Sequence, residues 1–152
     1  MLDRYINRHI KIMVSFQSEG VEIPKLDIKR ISTWLTEVAS GYGKRIGNLT
    51  YKFCSDEEII RVNREFLNHD YYTDIITFDY SIKDKVGADI LISLDTVRSN
   101  SEAYGVEYDN ELNRVIVHGL LHLCGLKDKT PTERESMESA ENTALELLKD
   151  IN

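Results

Sequence analysis

An apolar helix that ends in two histidines sets the terms for the rest of this 152-residue chain. Leu112, Val115, Ile116, Gly119, Leu120 and Leu123 recur at helical spacing and give the segment one continuous buried face. Asp109 or Asn110 is placed to cap its start, and Gly125 stands where a helix takes its left-handed stop. Such a helix must lie against an apolar layer. His118 and His122, four residues apart on it, project from one face a single turn apart.

The remaining segments supply that layer. From Met1 to Phe16, Ile6, Ile10, Ile12, Val14 and Phe16 stand among charges, and the last three alternate. This predicts a strand ending near Phe16, then a turn at Ser18, Glu19 and Gly20. Pro24 marks a helix start, and Leu26, Ile28, Ile31, Trp34, Leu35 and Val38 continue it to Gly41 and Gly43. Leu49 to Cys54 reads as a strand. Ser55 and Glu58 have capping-box spacing before Ile59, Ile60, Val62 and Phe66. A polar turn from Asn68 to Asp74 precedes the β-branched and aromatic run Ile75 to Tyr80, a strand. Gly87 to Ile92 is another. Asp95 begins a helix that ends near Gly105. Thr130, Pro131 and Glu133 open the last helix as cap, first residue and capping-box partner, and it runs to about Lys149. Strands and helices mix without strict alternation, which predicts an α+β fold: a single mixed sheet of about four strands with surrounding helices, in one domain over residues 1–152.

Composition narrows the function classes. Hydrophobic and charged fractions of 41% and 30% are those of a globular domain. Two cysteines, Cys54 and Cys124, are too few for a disulfide framework and read as free thiols in a reducing cytosol. Asp3, Arg4, Arg8 and Lys11 interrupt the N-terminal apolar residues, so no signal peptide is expected, and no apolar run is long enough to span a membrane. A cytoplasmic location follows as the expectation. The net charge of −7 argues against a general nucleic-acid coat but leaves room for one local basic cleft.

Chemistry concentrates in VHGLLHLCGLKDKT, residues 117–130. Two imidazoles at this spacing can share one zinc-like ion, with a third ligand from beyond the helix end. Asp128, three residues past Gly125, can fold back to supply it, and Cys124 is the rival because thiolate binds zinc well. Three protein ligands leave a coordination position open, the arrangement of a catalytic site. Gly119 stands where the general-base glutamate of H-E-x-x-H peptidases would be, which removes much of the support for peptidase chemistry.

The chain resembles the YbeY-type endoribonucleases, the rRNA maturation factors of bacteria, whose signature is H-G-x-L-H-L-x-G-Y-D-H. His118, Gly119, Leu121, His122, Leu123 and Gly125 match it in place. The stretch NREFLNHDYYTDIITF, residues 63–78, is similar to that family's N-x-x-Y-R-x-x-D-x-P-T-(N/D)-V-L-S-F at Asn63, Asp70, Thr73, Asp74 and Phe78, with conservative changes at Phe66, Ile75, Ile76 and Thr77. Gly87, Ala88, Asp89 and Ile90 are like its G-D-I strand with one residue shifted. The resemblance implies an α+β fold, one zinc-like ion per chain (zinc foremost, nickel or another transition metal as alternatives), and single-strand cleavage of rRNA beside the ribosome and small-subunit proteins. It implies metal ligation by His118 and His122, with Asp128 where the family carries its third histidine. The family's arginine falls at Leu67, so a phosphate-handling role passes to Arg64 or His69.

His118, Thr77 and Arg64 are thus the expected catalytic residues. Thr73, Asp74 and Thr77 position substrate or a ligand histidine, or else serve turn chemistry at a strand entry. Tyr71 and Tyr72 can stack on unpaired bases, with packing as the default. Asp70 reads as a turn cap. Arg61, Arg64, Arg98 and Arg114 either line an RNA channel or form solvated helix faces. The last helix, with Glu133, Glu135, Glu138, Glu141 and Glu146, is expected to face away from RNA. Two other functions fit the same motif: a metallohydrolase of another ester or amide, and a ribosome-assembly factor that does not cut.

Overall fold

The computed structural model describes residues 13–67 and 73–152. In chain order the elements are β1 (Val14–Ser18), α1 (Ile28–Gly41), β2 (Arg45–Cys54), α2 (Asp56–Phe66), β3 (Ile75–Asp79), β4 (Lys85–Ser93), α3 (Leu94–Tyr104), α4 (Tyr108–Leu123) and α5 (Pro131–Lys149). The strands form one mixed sheet in the order β1-β2-β4-β3, with β3 antiparallel and the other pairs parallel. This is the α+β architecture that the sequence pattern predicts. The expectations for Ile6, Ile10, Ile12, His69, Asp70, Tyr71 and Tyr72 lie outside the described residues.

Strand alternation decides which helix covers which face. Leu49, Tyr51 and Phe53 of β2, with Ala88, Ile90 and Ile92 of β4, meet Trp34 and Leu35 of α1 and Ile116 and Leu120 of α4 in the main core. On the other face a smaller cluster joins Cys54, Leu91 and Ile76 to Ile59 and Val62 of α2. α4 therefore lies on one side of the sheet and α2 on the other. Gly119 sits where α4 passes over β3 and β4: a Cβ there would come 3.1 Å from the Cδ1 atoms of Ile75 and Ile90. The position of the absent peptidase base is one where a side chain meets the core.

Two buried bonds from aromatic donors tie the layers. Tyr51 Oη donates to the Ile116 carbonyl at 2.8 Å, fixing α4 on the sheet, and Trp34 Nε1 donates to the Ala144 carbonyl at 2.7 Å, fixing α5 on α1. Arg30 adds bonds to the carbonyls of Leu148 and Ile151 at the end of α5.

Several boundaries differ from expectation. The Asp27 side chain caps α1, so Pro24 belongs to the approach and not to the helix. α4 begins after Glu107, which makes no side-chain capping bond, and Asp109 serves as a first-turn acid that complements the helix dipole. Ser93, not Asp95, caps α3, because β4 runs directly into it. The capping box of Thr130 and Glu133 with Pro131 is present as read.

Trp34 is fully buried, so Trp34→Ala removes a core ring and the α1–α5 bond together. Urea denaturation is expected to show a loss of about 3–5 kcal/mol, against about 1 kcal/mol for Tyr51→Phe, which deletes one hydrogen bond.

Candidate metal centre

The site is built where α4 ends. Gly125, at φ 106°, takes a left-handed turn that a side chain would strain, and its N–H donates to the His122 carbonyl at 3.0 Å. The chain reverses so that Leu126 N–H donates to the Leu121 carbonyl at 3.1 Å, while the Leu126 carbonyl accepts a bond from His122 Nδ1 at 3.0 Å. Asp128 follows two residues later and comes back over the helix end. Its Oδ2 lies 3.1 Å from His122 Nε2 and 3.4 Å from His118 Nε2, and the two Nε2 atoms are 3.0 Å apart.

The proton positions follow from the partners. A carbonyl oxygen only accepts, so His122 Nδ1 carries a hydrogen. His118 Nδ1 lies 2.6 Å from Glu141 Oε2, and a carboxylate likewise accepts, so that nitrogen donates too. With both Nδ1 atoms donating, the neutral form of each ring turns its Nε2 lone pair toward the other ring and toward a carboxylate oxygen. Three electron-rich atoms at such separations repel unless a cation stands among them. These ligand atoms lie within 4.8 Å of one another, and two imidazole nitrogens with one carboxylate oxygen suit a zinc-type ion. Burial pulls the His118 pKa down, but the Glu141 bond and charge, with Asp128 and Asp74, outweigh it and leave it raised.

Glu141 is the residue that sequence reasoning misplaced. It is 8% exposed on the inner face of α5, where it holds His118 and also accepts from Arg114 Nη1 at 3.0 Å. Arg114 Nη2 reaches Asn142 Oδ1 at 2.8 Å. A signal was present: Met137, Glu141, Ala144 and Leu148 follow one helical stripe, all buried, and a lone acid on such a stripe needs a partner. The expectation that the acids of α5 face away is corrected further by Glu138, which lines the same cleft as His118.

The other expected residues separate. Asp74 lines the cleft. Thr73 Oγ1 donates to the Ile75 carbonyl at 3.2 Å, a turn bond at the strand entry. Thr77 pairs with Ile90 in the sheet and is not among the residues lining the cleft. Arg64 is exposed on α2, across the sheet from α4, so the fold does not bring it to His118. Arg61 is bound by Glu58 and Glu65, and the Arg98 guanidinium lies 4.7 Å from the centre of the Tyr108 ring. Cys124 stands outside the converging group, and burial pushes its thiol up to about 11. Arg114 and Arg134 are the cations of the cleft.

Glu141→Gln keeps the size of the side chain but removes the charge that orients and polarises His118. Zinc affinity, measured by competition with a chromophoric chelator, is expected to fall about 10–100-fold; unchanged affinity would make Glu141 a packing residue.

Comparison with known proteins places this geometry. Residues 13–149 match the family model described as Endoribonuclease YbeY. The chain is 58% identical over 136 residues to the endoribonuclease YbeY of Phocaeicola vulgatus, covering 90% of this chain and 99% of that protein. It is 56% identical over 134 residues to that of Bacteroides thetaiotaomicron, covering 88% and 98%. A Thermotoga maritima protein solved in solution shares the fold at a TM-score of 0.59 and 23% identity, over 89% of this chain and 88% of its own. A match across both the histidine helix and the sheet that carries it means that this chain belongs to the YbeY endoribonuclease family.

Proposed function

We propose that the chain is a metal-dependent, single-strand-specific endoribonuclease of rRNA maturation, formed as a single domain over residues 1–152. The observation that carries this reading is the convergence of His118 Nε2, His122 Nε2 and Asp128 Oδ2, with each ring locked through Nδ1. RNA as substrate comes from the relatives, which are named endoribonucleases. In this reading the protein works in the cytoplasm beside small-subunit proteins. Among the described residues no helix is long and apolar enough to cross a membrane.

His118, His122 and Asp128 would hold one zinc-type ion, which when bound supplies Lewis-acid polarisation of a phosphate oxygen and a more acidic water. The chain's own groups do the rest. Glu141 and the Leu126 carbonyl keep both Nε2 lone pairs aimed inward. Arg114 holds Glu141 in place as an ion pair. Arg134, exposed on the first turn of α5, lines the cleft with Asp128 and is the cation we assign to substrate phosphate in place of the family arginine lost at Leu67. The close packing of Gly119 on Ile75 and Ile90 leaves no glutamate between the histidines, which favours phosphodiester over peptide chemistry.

Cleavage of an end-labelled, unstructured RNA tests this. His118→Ala or a zinc chelator is expected to reduce the rate at least about 100-fold, with zinc restoring the chelated wild type. Undiminished cleavage by His118→Ala, or cleavage of peptides but not RNA, would contradict the reading. Asp128→His removes one negative charge beside the ion. It is expected to remain active and to move the acidic limb of the pH–rate profile to lower pH.

A further inference from the structure

The cleft of about 570 Å³ beside the triad changes character along α4. At the C-terminal end of the helix it is lined by His118, Asp128 and Arg134. Toward the N-terminal end it is lined by Glu111 of α4, Tyr104 at the end of α3 and Val106 in the short link between these helices. Glu111 is 5% exposed and lines the cleft; among the described residues no hydrogen bond or ion pair holds its carboxylate, whose oxygens are not fully enclosed and so reach the cleft. Buried acids are otherwise paired. Tyr104 is the reverse: 69% exposed, and a lining residue of the same cleft.

Distance decides what Glu111 can do. It precedes His118 by seven residues, so at the helical rise it lies roughly 10 Å along the axis from the triad. That is far outside hydrogen-bond reach of a reacting atom, which excludes acid–base work at the scissile bond. It is the separation between a phosphate and the far edge of its own or the neighbouring base. Charge then decides what enters. Glu111 and Asp74 repel a phosphate, so this end suits an uncharged group that brings N–H donors. The ring of Tyr104 gives such a group a face to stack on, as aromatic side chains do for unpaired bases.

We propose that Tyr104 and Glu111 form a base subsite that selects an unpaired guanine next to the cleaved bond, with Tyr104 stacking on the ring and both Glu111 oxygens accepting from its edge. Guanine presents two adjacent donors, the ring imino N–H and the exocyclic amino group, and a carboxylate presents two acceptors and no donor. Adenine and cytosine offer an amino group next to a ring acceptor, which would face a carboxylate lone pair. Uracil offers one imino donor between two carbonyls. Burial pushes the Glu111 carboxyl up, with Arg114 opposing and Glu141 and Asp74 adding, so its charged form gains most from a ligand that brings donors. The proposal rests on the endoribonuclease reading and adds the base preference to it.

The test is fluorescence anisotropy of the full chain with 2′-O-methyl pentanucleotides of uridine carrying guanine, inosine, adenine, cytosine or uracil at the centre, together with mapping of the ends cut from an unstructured RNA. Wild type is expected to bind the guanine oligonucleotide roughly tenfold more tightly than inosine, which lacks the amino group. Cuts are expected to cluster beside guanine. Glu111→Gln should bring guanine and inosine within about twofold while its thermal unfolding stays cooperative. Tyr104→Ala should weaken every base alike, by about tenfold. RNA bound and cut with no guanine preference, or a preference that survives in Glu111→Gln, overturns the subsite and leaves the nuclease reading intact. No binding or cutting of any RNA by wild type overturns both.

Discussion

Between α4 and α5 a buried carboxylate accepts the Nδ1–H of His118 at 2.6 Å, and the same carboxylate holds Arg114 at 3.0 Å. A charge in that position is costly unless every lone pair is used, so the pairing fixes the registry of the two helices as well as the ring. The contacts that anchor α5 serve this one bond. Trp34 binds the Ala144 carbonyl one turn beyond Glu141, and Arg30 binds the Leu148 carbonyl in the last turn and the Ile151 carbonyl just beyond it. On the other side Tyr51 and the close approach at Gly119 set the height of α4 over the sheet. The imidazole is thus oriented by a chain of interactions that runs through the core, the precision that the proposed ligand role of His118 requires.

α4 divides its labour by azimuth. Ile116 and Leu120 go to the sheet, while Glu111, Arg114 and His118 line the cleft. Because the polar row faces α5 and α3 rather than open water, its charges act in surroundings where each needs a partner. Arg114 and His118 have theirs in Glu141. His122 has its partner in the Leu126 carbonyl, and Asp128 Oδ2 stands 3.1 Å from the His122 Nε2 lone pair, where a cation would serve both. The protein carries a net charge of −7, yet the cleft holds two arginines among its acids, a local arrangement that global charge does not disclose.

Much of this is legible in the sequence. The apolar period of α4, the stop at Gly125 and the capping box at Thr130 are local signals, and each appears where it was read. The convergence of His118, His122 and Asp128 was readable for the same reason, since a helical turn and one glycine reversal set it within eleven residues. What was not legible depends on partners distant in sequence. Glu141 looked like one acid among many until α5 was placed on α4. Arg64 looked available for phosphate because sequence adjacency to a motif says nothing of which sheet face a helix covers, and α2 covers the opposite one. Thr77 differs: it pairs with Ile90 on the sheet face that α4 covers, yet it does not line the cleft. Helix starts shift by a few residues: Asp27 and Ser93 make the capping bonds of α1 and α3, whereas α4 starts after Glu107 with no side-chain cap, because the short link from Gly105 leads directly into it.

The proposed site has His118, His122 and Asp128 around one ion. Diffraction from zinc-soaked crystals above and below the zinc absorption edge tests it most directly. One anomalous peak per chain is expected, about 2.0–2.2 Å from His118 Nε2, His122 Nε2 and an Asp128 oxygen, with the Glu141 and Leu126 bonds unbroken. A peak on Cys124, or none between the histidines at saturating zinc, would contradict it.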